Sequence, residues 1–210
     1  MPEERHFQVA SHIQEFCRNP ENWSGSDYEL GMQFAPGSLK SSQRLALFHT
    51  VWQSATAMGV VGDVRKLGDG WHYAKDISTE SGARYFGYLR LGVKQIVGCG
   101  SRYIDTDEET WFVLFVPTSM LELVFPVDYP IGRYGNLWRR QVDDVLASVA
   151  RRAYQQVPYL LSVIAEEASS FWPLQQVRSL RFNEPPICLL APTTILQSLH
   201  VGGPTIQYRK

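Results

Sequence analysis

The stretch from Trp111 to Val127, WFVLFVPTSMLELVFPV, is the most apolar part of the chain and constrains the fold more than any other. A helix through it is disfavoured, because Pro117 would sit in its middle, without an N–H and in steric conflict with the preceding turn. Phe112 to Val116 is a continuous apolar run, the pattern of a strand buried on both faces. Beyond Pro117-Thr118-Ser119, residues 120–125 alternate, with Leu121, Leu123 and Phe125 on one side and Met120, Glu122 and Val124 on the other. That period of two predicts a second strand, with one wetter face, ended by Pro126.

Strands extend in both directions from this hub. Arg84 to Leu91 alternates, and Val93 to Ile104 follows after Gly92. Gly98 and Gly100 mark a bulge or a close backbone approach. Residues 84–127 therefore predict a meander of about four antiparallel strands, with Tyr28 to Ala35 as a candidate fifth.

Helical spacing appears elsewhere. Phe7, Ala10, Ile13, Phe16 and Cys17 form a short stripe that ends at Asn19-Pro20. Ser41 reads as an N-cap for a helix running to about Met58, stopped by Gly59. The strongest stripe comprises Trp138, Val142, Val145, Leu146, Val149, Ala153, Tyr154 and Val157, and Pro158 predicts a break with a new helix to about Ser169. Residues 59–83 read as a long irregular connection, a length that signals either function or an overlooked element. In the proline-dotted tail, Ile187 to Leu190 and Thr194 to Leu199 are short apolar segments suited to an edge strand. The fold class expected is α+β, a mainly antiparallel sheet of about five strands with amphipathic helices packed on one face, in a single domain over residues 1–210.

Charge adds exclusions. With 20 basic and 21 acidic residues there is no global footprint for nucleic acid or an anionic membrane. No run approaches the roughly 18 apolar residues of a membrane span, and MPEERHFQVA lacks the apolar core of a secretory signal. Cys17, Cys99 and Cys188 are odd in number and far apart, which suits a reducing cytoplasm better than a disulfide framework.

No motif carries a mechanism. Neither Gly68-Asp69-Gly70 nor Val97 to Ser101 matches a dinucleotide-binding or phosphate-binding loop, so no cofactor is expected. No histidine pair among His6, His12, His49, His72 and His200 has metal-ligand spacing, and the acidic tip Asp105 to Glu109 lacks the glycine of a calcium loop; no metal is expected. The aromatics outside clear stripes include Trp23, Trp71, Tyr73, Tyr129 and Tyr134, and loop aromatics suit partner or ligand contacts. The leading expectation is a non-catalytic binding or regulatory module for a protein partner or small ligand, contacting it through Trp71, His72, Tyr73, Tyr129 and Tyr134. One alternative is a hydrolase or transferase with a dispersed site around Cys99, His72 and Asp69, which requires those groups to converge. A further alternative is nucleic-acid binding through the helix at 137–157. There Arg140 and Arg151 share a face, although Asp143 and Asp144 lie four residues after Arg139 and Arg140 and offset them.

Overall fold

In a computed structural model of the chain, the residues described are 11–53, 57–61, 77–91, 95–129, 131, 136–171 and 188–192. They form a seven-stranded sheet, β1 (Asp27–Phe34), β2 (Ala57–Val61), β3 (Arg84–Leu91), β4 (Gln95–Asp105), β5 (Thr110–Pro117), β6 (Leu161–Glu166) and β7 (Cys188–Leu190). The order across it is β2-β3-β4-β5-β1-β6-β7, with every pair of neighbours antiparallel. The helices are α1 (Ser11–Arg18), α2 (Ser41–Trp52), α3 (Thr118–Glu122), α4 (Trp138–Gln156) and α5 (Ala168–Phe171). Among the described residues no helix is long and apolar enough to cross a membrane.

β5 is buried along its whole length, as its continuous apolar run requires. Directly paired residues share a sheet face, so the register sorts the side chains. Tyr28, Leu30 and Met32 lie with Val116, Leu114 and Phe112 on one face. The long helices cover this face. Trp52 of α2 donates its indole N–H to Ser101 Oγ at 2.9 Å, and Tyr28 donates to Asp143 Oδ1 of α4 at 2.6 Å. On the other face Trp111, Val113, Phe115 and Phe86 form a smaller apolar cluster, against which the Trp23 ring packs edge-on at 4.8 Å from Phe86. The short helix α5 lies on this second face, where both the backbone N–H and the hydroxyl of Ser169 donate to Glu29 at 2.8 Å. The sheet is therefore sandwiched rather than covered on one side alone.

The glycines of β4 mark close approach, not a bulge, since the β3–β4 and β4–β5 ladders run in register through them. A Cβ on Gly100 would stand 2.4 Å from the Phe115 ring, and one on Gly98 would stand 2.9 Å from the sulfurs of Cys17 and Met120.

Several expectations need correction. Residues 120–125 are not a strand. Pro117 ends β5, Thr118 N–H turns to the Ser26 carbonyl at 2.9 Å, and the single-turn α3 follows. Its consecutive Met120 and Leu121 are both buried, which a strand with one wet face would not allow. Residues 158–169 do not form a helix either. Val157 N–H closes α4 on Ala153, and Leu160 N–H then bonds the Gln33 carbonyl, starting β6 between β1 and β7. Leu161 to Ala165 is wholly buried, as an interior strand requires. The second helix stops at Trp52 rather than Met58, and Met58 and Gly59 belong to β2, the element overlooked in the irregular connection. It starts one residue earlier than expected: Lys40 is the N-cap, and its N–H donates to Gln43 Oε1 at 3.0 Å. The short apolar segment near 187–190 is edge strand β7. Gly92, residues 1–10 and residues 194–199 lie outside the described residues.

Candidate functional site

The surface that combines exposed apolar groups with a fixed framework lies between α3 and α4. Val124 and Phe125 both send their N–H groups to the Leu121 carbonyl, which folds the chain back after α3. Phe125 then stacks on Trp138, with ring centroids 6.0 Å apart. Trp138 in turn meets the Tyr28 ring edge-on at 5.3 Å, anchoring the start of α4 to the sheet. Asn136, 1% exposed, closes the loop. Its Oδ1 accepts from the Asp128 N–H at 2.9 Å, its Nδ2 donates to the Asp128 carbonyl at 2.9 Å, and the same Oδ1 accepts from Trp138 Nε1. Tyr129 and Leu137 each directly follow a member of this clamped Asp128–Asn136 pair. Leu137 is 91% exposed, Tyr129 57% and Leu123 38%. A stacked, hydrogen-bonded floor thus carries apolar side chains directed to solvent.

The surroundings are acidic. Tyr129 donates its hydroxyl to Glu122 Oε1 at 2.8 Å. Partial burial, with Glu122 and Glu166 beside it, holds the phenol above its ordinary pKa, against an opposing hydrogen bond from Thr118. Glu166 accepts from the Ser26 hydroxyl. Glu167 adopts φ of +47°, a region uncommon for a non-glycine residue, while its N–H bonds the Asp27 carbonyl. Among the described residues Glu122, Asp128, Glu166 and Glu167 make no salt bridge. These acids come from α3, the following loop and the end of β6, brought together because β1 pairs Tyr28 with both Val116 and Glu166.

Two cations lie near the strand ends: Arg84, paired across from Arg102, acts on Asp27 through space, and Arg102 is directly engaged. Arg102 donates to Glu29 Oε1 at 2.6 Å and to Asp27 Oδ2 at 3.3 Å, and its guanidinium lies 4.9 Å from the Phe115 ring centre. Burial raises the pKa of both carboxyls, against the pull of Arg102 on Asp27 and of Ser169 and Arg102 on Glu29. With Glu29 buried and both its oxygens occupied, this group joins α5 to the sheet and offers no open position to a ligand. On the opposite face Arg139 Nε donates to the Tyr28 hydroxyl at 3.0 Å, and Tyr28 in turn donates to Asp143. Burial pushes the Asp143 carboxyl up to about 6. Arg139 is thereby a buried contact of the sheet.

Of the candidate residues read from sequence, Tyr129 stands at this surface, whereas Trp71, His72, Tyr73 and Tyr134 lie outside the described residues, as does Asp69. Cys99 is fully buried, and burial holds its thiol well above the ordinary value, so it is not presented as a nucleophile. Arg140 and Arg151 are exposed on α4. At the acidic tip, Asp105 is held by the two terminal Arg44 nitrogens, Nη1 and Nη2, at 2.7 Å and Glu109 accepts from Gln33 at 2.6 Å, and no group of three metal-ligating residues occurs among the described residues. Sequence reasoning overlooked Leu137 and the carboxylates. Leu137 carried a signal: it lies off the apolar stripe of α4, above the polar positions Gln141 and Asp144. Comparison with known protein families, curated proteins and solved structures finds no match.

Proposed function

We propose that the chain is a non-catalytic binding module that recognises a protein partner through Leu123, Tyr129 and Leu137. The observation that carries this reading is Leu137, 91% exposed on a segment whose neighbours Asn136 and Trp138 are buried and hydrogen-bonded to each other. Burying one leucine on association is worth about 1.5–3 kcal/mol. A framework fixed before contact loses little entropy on binding, which favours recognition. A small ligand is the alternative recipient of the same surface. The hydrolase or transferase reading has less support because Cys99 is buried. The nucleic-acid reading rests on Arg140 and Arg151, exposed on α4, where the exposed Asp144 lies four residues after Arg140 and offsets it. The reading includes a reducing, cytoplasmic setting, supported by Cys17 and Cys99 being free thiols.

The test is site-specific photocrosslinking in native lysate, with a benzophenone side chain at position 129 or 137 and at Ser148, an exposed α4 position, as control. A discrete adduct shared by 129 and 137 and missing at 148 is expected. Equal labelling at all positions, or none at 129 and 137, refutes the reading.

A further inference from the structure

Resting on that binding reading, we infer that the segment received at this surface is basic: an arginine- or lysine-bearing peptide stretch whose cation meets Tyr129 between carboxylates and whose apolar side chains cover Leu137 and Leu123. Two independent features of the surface select this occupant.

The first is uncompensated charge. Glu122 and Asp128 are exposed, Glu166 and Glu167 are half-buried, and among the described residues none makes a salt bridge. Arg102, the cation joined to the neighbouring strand ends, is committed to Asp27 and Glu29. The chain as a whole is nearly neutral, so this concentration is local. The carboxylates about Tyr129 give a local negative potential, while the exposed Arg140 lies one turn along α4 from Leu137; at Tyr129 such a potential speeds encounter with a cationic group and disfavours an anionic one.

The second is the placement of the Tyr129 ring. Its hydroxyl is tied to Glu122 at 2.8 Å, which fixes the ring while leaving it more than half exposed. A guanidinium or ammonium over an aromatic face gains cation–π attraction, and an adjacent carboxylate adds a charge-assisted hydrogen bond. The fold already uses the same ring-and-cation pairing in its interior, with Arg102 over Phe115 and Arg44 5.1 Å from the Tyr103 ring centre. At Tyr129 the ring and the anions are present, and among the described residues no cation lies over the ring.

The experiment is fluorescence anisotropy of labelled peptides titrated with the full chain. Three sequences share one leucine pattern and carry arginine and lysine, glutamate, or glutamine at the remaining positions. The basic peptide should bind at least tenfold more tightly than the other two, with an affinity that falls as salt is raised. The Glu122→Gln/Asp128→Asn variant, altered only at exposed side chains, should lose about tenfold for the basic peptide and nothing for the glutamine peptide. Tyr129→Ala should weaken binding and Tyr129→Phe should largely restore it, since the ring is retained; a folded circular dichroism spectrum accompanies each variant. Equal binding of basic and glutamine peptides, or indifference to the double variant, overturns the inference while leaving the binding surface intact. Failure of crosslinking at both 129 and 137 removes the binding reading itself. Spermidine displacing the basic peptide at concentrations near its own dissociation constant would also overturn it, by showing a site for free polyamine rather than for a peptide.

Discussion

Asp143 offers a direct test of how α4 is held to the sheet. Its carboxylate sits under the Tyr28 hydroxyl, near Arg139 and beside Asp144, and burial lifts its pKa from 3.8 to about 6. A carboxyl with a raised folded-state pKa binds a proton more readily in the native state than in the unfolded chain. Its contribution to stability is therefore fully present below the unfolded value near 3.8 and is lost as pH rises through about 6. At about 1.36 kcal/mol per pKa unit the full effect approaches 3 kcal/mol, and the partial exposure of Asp143 reduces this to about 1–3 kcal/mol. The assay is urea unfolding of wild type and Asp143→Asn from below the unfolded pKa to well above the folded one, about pH 3 to 7.5. Asparagine still accepts from Tyr28 but cannot ionise, so the difference between the two proteins should change by that amount across the window, with wild type losing ground as pH rises. Comparing the pair cancels the titrations of Asp27, Glu29 and Asp105, which both proteins retain. Parallel curves, within about 0.3 kcal/mol at every pH, would refute the assignment of charge burial to Asp143; additivity at independent sites sets that tolerance.

Arg102→Ala should destabilise the fold by about 3 kcal/mol or more in chemical denaturation, because Glu29 would be left buried without its cation. Gly100→Ala should cost at least about 2 kcal/mol by the same measurement, with partial recovery in Gly100→Ala/Phe115→Leu, because the new methyl must displace the Phe115 ring. Arg44→Ala should raise the Asp105 pKa followed by carboxyl-carbon NMR, since the Arg44 hydrogen bonds are what lower it. Asp105 favours the folded state above the unfolded pKa, and that stability is lost as pH falls through the folded one, so the variant should lose this acid-labile share of stability. In a Cys188→Ser protein, Cys17 and Cys99 should resist thiol reagents until the chain is unfolded, because burial pushes the Cys17 thiol up to about 12 and holds the Cys99 thiol well above its ordinary value.

What was legible in the sequence follows from which interactions are local. β1 and β3 are read as strands from alternation along eight residues, β5 from its continuous apolar run, and β4 from its place after Gly92 in the meander. The α4 stripe is equally plain. α3 was misread because five residues are too few to display a helical period, and Met120 and Leu121 mimic a strand edge. β6 was hidden by Pro158: a proline after an amphipathic helix suits a second helix as well as a chain reversal, and only the partners β1 and β7 decide. At the candidate site Tyr129 is visible as an aromatic outside any stripe. The acidic surround is not, because Glu122, Asp128 and Glu166 are separated in sequence and meet only through the pairing of β1 with both β5 and β6. Trp23 illustrates the converse: an unassigned aromatic that proves to lock a loop onto Phe86, with its indole N–H on the Cys17 carbonyl at 2.8 Å.

The position of β1 has a consequence for biosynthesis. It leaves the ribosome first among the described strands, yet it is flanked by β5 on one side and β6 on the other. Its register joins Asp27 to Pro117 and Tyr28 to Glu166, so both of its long edges wait unsatisfied until most of the chain has been made. Pairings so distant in sequence close slowly, and strand edges left open meanwhile invite association with other chains. The β3–β4–β5 meander can assemble from local hairpins, but its β5 edge stays open until β1 arrives. Nascent chains arrested after β5 and before β6 should therefore be the stage at which general chaperones are most engaged, and the completion of β6 should be the step that releases them.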